Sequence, residues 1–170
     1  MTTDITSTTD TLPAEGAFHD GDAFALAQRM AKALCASELV PKQFQGDRGM
    51  ANTLIALELA QRTGASPLAV MQNLHVVQGK PTWSAQFIIA ALNACGRFTP
   101  LRFVLDGEGP ARSCCAWATD KASGETLEGP KVDMAMAQAE GWATKSGSKW
   151  KTMPELMLRY RAATFFLYSG

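Results

Sequence analysis

Five basic side chains, Lys145, Lys149, Lys151, Arg159 and Arg161, lie between residues 141 and 161 against one acid, Glu155, a local formal charge of +4. Ammonium and guanidinium groups at that density hold phosphates when they meet an anionic polymer, and otherwise make a solvated basic face. The residue types of catalysis are not gathered in this way. The only histidines, His19 and His75, belong to different predicted elements, which leaves little for a metal site or a Ser/His/Asp triad. Gly124 to Gly129 has the glycine spacing of a phosphate loop, but Pro130 stands where the essential lysine belongs. Cys35, Cys95, Cys114 and Cys115 include no CxxC pair, and the adjacent two point to opposite faces of a predicted strand. No paired carboxylates stand out. The expectation is a protein that is not an enzyme and uses no cofactor or metal.

The chain has 170 residues, with 46% hydrophobic and 8% aromatic residues and a mean hydropathy of −0.06, enough for one domain with a real core. No apolar run reaches the roughly 18 residues of a membrane span, and no signal peptide is visible, which points to the cytoplasm. The balance of 16 basic against 16 acidic side chains conceals an asymmetry. Residues 1–22 contain Asp4, Asp10, Glu15, Asp20 and Asp22 and no base, so residues 23–170 carry a formal +5. Net neutrality therefore does not exclude nucleic acid.

The elements that must position the basic groups follow from periodicity. Residues 1–20 read as a disordered acidic arm and residues 21–170 as one domain. Asp22 is placed to cap a helix over 23–37, with Leu26, Met30 and Leu34 recurring every four residues. A second helix spans about 48–63 and stops at Gly64, and Ser66-Pro67 restarts a short one reaching Asn73. Residues 74–78 and 81–83 read as a hairpin turning at Gly79-Lys80. Ser84 caps a helix over 85–95, with Trp83 placed to staple onto Ile88. Extended segments over 98–105, 112–119 and 125–128 form a meander. Asp133 caps a short helix ending near Gly141, residues 143–152 form a polar loop, and Pro154 opens the last helix. The predicted fold class is α+β: a small antiparallel sheet, a hairpin plus a three-stranded meander, flanked by helices.

The segment Gly79-Lys-Pro-Thr-Trp-Ser-Ala-Gln-Phe-Ile-Ile-Ala-Ala-Leu-Asn-Ala-Cys-Gly-Arg-Phe98 resembles part of the phage RecT/Red-beta single-strand annealing proteins. There a hairpin leads into a helix that ends before an aromatic residue and a new strand. The likeness continues into Glu140-Gly-Trp142, Lys149-Trp150 and Met153-Pro-Glu-Leu-Met-Leu-Arg-Tyr-Arg-Ala162, and covers roughly residues 48–168. It implies a RecT/Red-beta-like annealing core that binds single-stranded DNA and anneals complementary strands without ATP in phage recombination. An oligomer, ring or helical filament, would hold the phosphate backbone in a basic groove and leave the bases free to pair. The implied partners are single-stranded DNA, the annealed duplex, further copies of the chain, and a partner exonuclease or host single-strand-binding protein. The implied setting is the cytoplasm of a bacterial host.

Arg161, on the edge of the last helix's apolar stripe and matching a basic family position, is the leading expected DNA contact. Arg159 lies four residues after Glu155, the favourable orientation for a surface pair. Lys149 and Lys151 flank Trp150 in the polar loop, with Lys145 just before them. Lys80 is expected at the hairpin tip. Arg97 follows a helix-ending glycine, where it can also cap carbonyls. Trp83, Trp117 and Trp142 are expected in the core or as staples rather than as platforms for bases. The family often carries lysine just after the methionine of the last helix, where Glu155 and Leu156 stand here. The chain stops at Phe165-Phe-Leu-Tyr-Ser-Gly170, inside an apolar stripe, and this reads as C-terminal truncation. The alternative expectation is a truncated remnant that serves as a protein-interaction module without annealing DNA.

Overall fold

Asp20, not Asp22, starts the first helix: its Oδ1 accepts from the Ala23 N–H at 2.7 Å, and α1 runs Gly21–Cys35. Asp20 is extended, as a capping residue must be, whereas Asp22 falls inside the first turn, where its charge meets the positive helix end. The computed structural model describes residues 18–77 and 79–169, so the predicted acidic arm lies outside the described residues up to residue 17. Two compact units emerge from the contacts, Met1–Thr82 and Trp83–Gly170, where one domain over 21–170 is expected from sequence. No described helix is long and apolar enough to cross a membrane.

In the first unit the buried stripe of α1 is Ala23, Ala27, Ala31 and Cys35, one step round from the predicted leucine face. Small side chains let α1 approach α2 (Gly46–Thr63) closely over Leu57, while Met30, Leu34, Met50 and Leu54 close the sides. The buried Thr53 hydroxyl accepts from the Cys35 thiol and donates to the Phe44 carbonyl, both at 3.3 Å. Gly49 is required where it stands, because a Cβ would come within 2.2 Å of the Phe44 carbonyl carbon. Ser66 caps α3 (Pro67–Asn73) through the Ala69 N–H, as predicted. The strands β1 (Leu74–Val77) and β2 (Lys80–Trp83) then pair as a two-stranded hairpin. Lys80 belongs to the return strand and not to the tip.

The second unit is mixed helix and sheet, a small antiparallel sheet flanked by helices. Ser84 Oγ accepts from the Phe87 N–H at 3.1 Å and starts α4 (Ala85–Ala94). Trp83 stacks its ring on Phe87, centroids 4.4 Å apart, and packs against the core cluster that contains the predicted Ile88. The four-stranded sheet has the order β3 (Arg102–Asp106), β4 (Ser113–Thr119), β5 (Thr126–Glu128), with β6 (Val132–Asp133) also on β4. The meander is therefore one strand richer than predicted. Between Trp117↔Glu128 and Cys114↔Val132 the register slips by one residue, a bulge at Gly129–Lys131 where Pro130 has no N–H to donate. Asp133 caps α5 (Met134–Ala139) through the Met136 N–H at 2.7 Å, and the predicted loop contains a helical turn, α6 (Lys149–Thr152).

Helix α7 (Pro154–Ser169) packs across β4 and β6 and beside α4. Leu158, Ala162, Ala163 and Phe166 from α7 meet Ile88, Leu92, Cys114, Ala116, Ala118 and Val132 in one core. Gly129 makes that approach feasible, since a Cβ there would sit 3.0 Å from the Phe166 Cα. The alternation along β4 decides which side chains are spent on the core. Cys114, Ala116 and Ala118 face α7 and are at most 1% exposed.

Candidate nucleic-acid interface

The basic segment is held by its tryptophans. Trp150 is buried in the core, and Trp142 lies against it with ring centroids 5.5 Å apart. The Ser148 hydroxyl donates to the Trp142 carbonyl at 2.6 Å and accepts from the Trp150 N–H at 3.3 Å. The Ala143 N–H reaches back to the Ala137 carbonyl at 3.1 Å. With both ends tied, Lys145, Lys149 and Lys151 are exposed on an anchored loop and turn. None of the three has a carboxylate partner among the described residues.

Arg161 is placed differently from the other basic groups. Its guanidinium lies 3.9 Å from the centroid of the Trp142 ring and 5.9 Å from that of Phe165. Burial holds its pKa below the ordinary arginine value, with Glu140 opposing that shift. It stays a cation, and the indole face offsets part of its lost hydration, a contact worth about 0.5–2 kcal/mol. The partners of this charge within the protein are thus the Trp142 indole and, through its field, the Glu140 carboxylate. Arg161 fixes the Trp142 loop to α7.

Arg159 is freed by a partner exchange. Glu155 does not pair with Arg159 one helical turn away; it accepts from Arg112 Nη2, which also donates from Nη1 to the Gly107 carbonyl at 2.9 Å. Arg112 lies just before β4 and is fixed by that turn, so it presents a pre-organised fork to the carboxylate. Arg159 stays exposed without an ion-pair partner among the described residues. Arg97, expected to cap carbonyls or meet DNA, donates from Nε to Asp120 Oδ2 at 2.9 Å and lies over the Phe98 ring. That bond, together with the Ala122 and Ser123 N–H groups, holds the Asp120 carboxyl below its usual range. Lys80 is an exposed strand residue in the first unit. Of the seven predicted residues, Lys145, Lys149, Lys151 and Arg159 are exposed cations of the second unit without an ion-pair partner among the described residues.

Arg102 lies outside the predicted set, and Trp117, expected in the core or as a staple, is not part of the core cluster. These residues are cross-strand partners on β3 and β4, on the sheet face opposite α7. Val104 on the same face is 54% exposed, Arg102 is exposed and Trp117 half-buried. Arg102, Val104 and Trp117, together with Leu101, Phe103 and Arg159, line a shallow open depression of about 460 Å³ at the free edge of β3. The signal was present in the sequence: Trp117 stands between Ala116 and Ala118, so a strand that buries the alanines turns the indole outward.

Cys114 is buried and Cys115 only half-buried, in keeping with the predicted opposite faces, and all four cysteines are free thiols. Among the described residues no group of three or more His, Cys, Asp or Glu side chains is placed to hold a metal ion. Comparison with known proteins finds no matching family model, no matching curated protein and no matching solved structure.

Proposed function

We propose that this chain binds single-stranded DNA by its phosphates and anneals complementary strands without ATP, as an oligomer. The reading joins the likeness of residues 79–98 and 140–162 to the RecT/Red-beta family with one structural observation. Lys145, Lys149, Lys151 and Arg159 are exposed and lack carboxylate partners among the described residues, three of them on a segment anchored by Trp142 and Trp150. Cations left free on an anchored scaffold track a phosphate backbone without reading sequence. Arg161 serves as a positioning residue that holds the loop. Annealing in phage recombination, within a bacterial cell and beside a nuclease or single-strand-binding partner, belongs to the same reading.

The test is fluorescence strand annealing without nucleotide at several salt concentrations. The logarithm of the binding constant should fall linearly with log salt, by about 0.7 in the slope for each phosphate neutralised. Salt-insensitive binding, or none, rejects the reading. A second reading, a protein-interaction module, is favoured by the end of α7, where Leu167 and Tyr168 are 40% and 71% exposed. It predicts self-association that persists in salt and no annealing.

A further inference from the structure

The depression at the β3 edge combines three things a nucleotide requires. Arg159 from α7 and Arg102 from β3 supply two guanidiniums, and Trp117 supplies an outward indole with Val104 beside it. Its volume of about 460 Å³ falls within the roughly 300–1,000 Å³ of small-ligand sites. The acids that could neutralise the two arginines are placed elsewhere. Glu155 is held by Arg112, and Asp106 at the far end of β3 faces Lys131 at 3.5 Å. Glu128 stands across from Trp117 on β5, on the side away from Arg102, so negative charge bounds the site there and phosphates are directed toward the β3 edge.

We infer that this depression is a base-stacking subsite, in which one unpaired base of a single strand lies on the Trp117 indole while Arg102 and Arg159 hold the adjoining phosphates. The inference rests on the single-strand reading above and adds a place where a base, not only the backbone, is engaged. A base held there is unavailable for pairing. The subsite therefore favours the single strand and releases it as the duplex forms. Stacking also explains the choice of tryptophan at an outward strand position, where any base offers a π-face and sequence is not read.

The experiment measures binding of the full chain to a labelled oligo(dT), to an abasic oligonucleotide of equal length, and to the matching duplex. For the wild-type protein the abasic strand should bind roughly fivefold to tenfold more weakly than oligo(dT). Trp117→Leu should weaken oligo(dT) by a similar factor and leave abasic binding unchanged. Arg102→Ala with Arg159→Ala should weaken both strands about tenfold or more. Equal binding of the abasic and normal strands by the wild-type protein overturns the subsite without any variant having to fold. If the wild-type chain binds no oligonucleotide at low salt, the single-strand reading itself falls. Binding of poly-glutamate that needs Arg102 and Arg159, with no difference between the two strands, makes the depression an acidic-protein surface and also overturns the subsite.

Discussion

The two faces of the second unit's sheet are built from alternate residues of the same strands. On one, Phe103, Leu105, Cys114, Ala116, Ala118 and Leu127 belong to the core with α7 and α4, with the two alanines leaving room for the helix. On the other, Arg102, Val104, Cys115, Trp117, Thr119 and Thr126 stand toward solvent, and Thr119 and Thr126 hydrogen-bond to each other at 3.3 Å. Stability lives on the first face, and the second is left toward solvent. A substitution one residue along β4 should therefore change a different property of the protein.

The largest effect belongs to neighbouring substitutions. Ala116 is fully buried, so Ala116→Glu places an unpaired carboxylate in the core, costs several kcal/mol and should leave the unit unfolded by circular dichroism. Trp117→Leu should shift stability by only about 1 kcal/mol. Equal losses of melting temperature would dissolve the distinction between the faces. Leu158→Ala, under the same face, should cost about 2–5 kcal/mol in chemical denaturation and, on the proposed single-strand binding, leave its salt slope unaltered.

Lys149→Ala with Lys151→Ala should do the reverse: unchanged melting, and a salt slope reduced by about 1.4 if both lysines meet phosphates. The two adjacent thiols offer a chemical version of the comparison. Burial pushes Cys114 up to about 11, and Cys115 is also raised, by burial and by Glu128. At pH 8 roughly one Cys114 in a thousand is thiolate, so iodoacetamide should label exposed Cys95 first, Cys115 next, and Cys114 only on unfolding.

The smallest effect is on acid stability. Asp120 titrates below 3.8 when folded, because Arg97 and two backbone N–H groups favour its charged form. Its contribution is present above the unfolded value and drains away as pH falls through the folded one. Asp120→Asn should flatten the loss of stability below about pH 4 and change nothing in its slope above pH 5. An unchanged acid limb in a pH series of denaturant melts would show that the Arg97 bond is absent in solution.

Much of the scaffold was legible because it is made locally. Ser66, Ser84 and Asp133 each accept from an N–H three residues on, so the residue type and the start of the apolar pattern suffice to place the cap. The same rule placed the first cap at Asp22 when Asp20 holds it, since two acids stand at competing positions. Strand β6 escaped notice because it is two residues long and follows a bulge at Gly129–Lys131. The core stripe of α1 was misplaced because alanines carry little hydrophobic signal, yet only they allow so close an approach.

The basic residues were legible as a set but not as individuals. Glu155 and Arg159 are ideally spaced on one helix, yet Glu155 pairs with Arg112, 43 residues away in sequence. Arg161 needed a partner, and a loop folded Trp142 beneath it. Local sequence suffices for the caps at Ser66, Ser84 and Asp133, for the strand alternation that turns Trp117 away from its alanine neighbours, and for the excess of positive charge after residue 140. Hydrogen bonds a few residues long and side-chain parity depend on nothing more distant. Tertiary contacts settle which cations are consumed and which keep no ion-pair partner among the described residues, because pairing depends on distance in space. They also bring Arg159 to the edge of β3 beside Arg102 and Trp117, residues that chain order keeps more than 40 positions away.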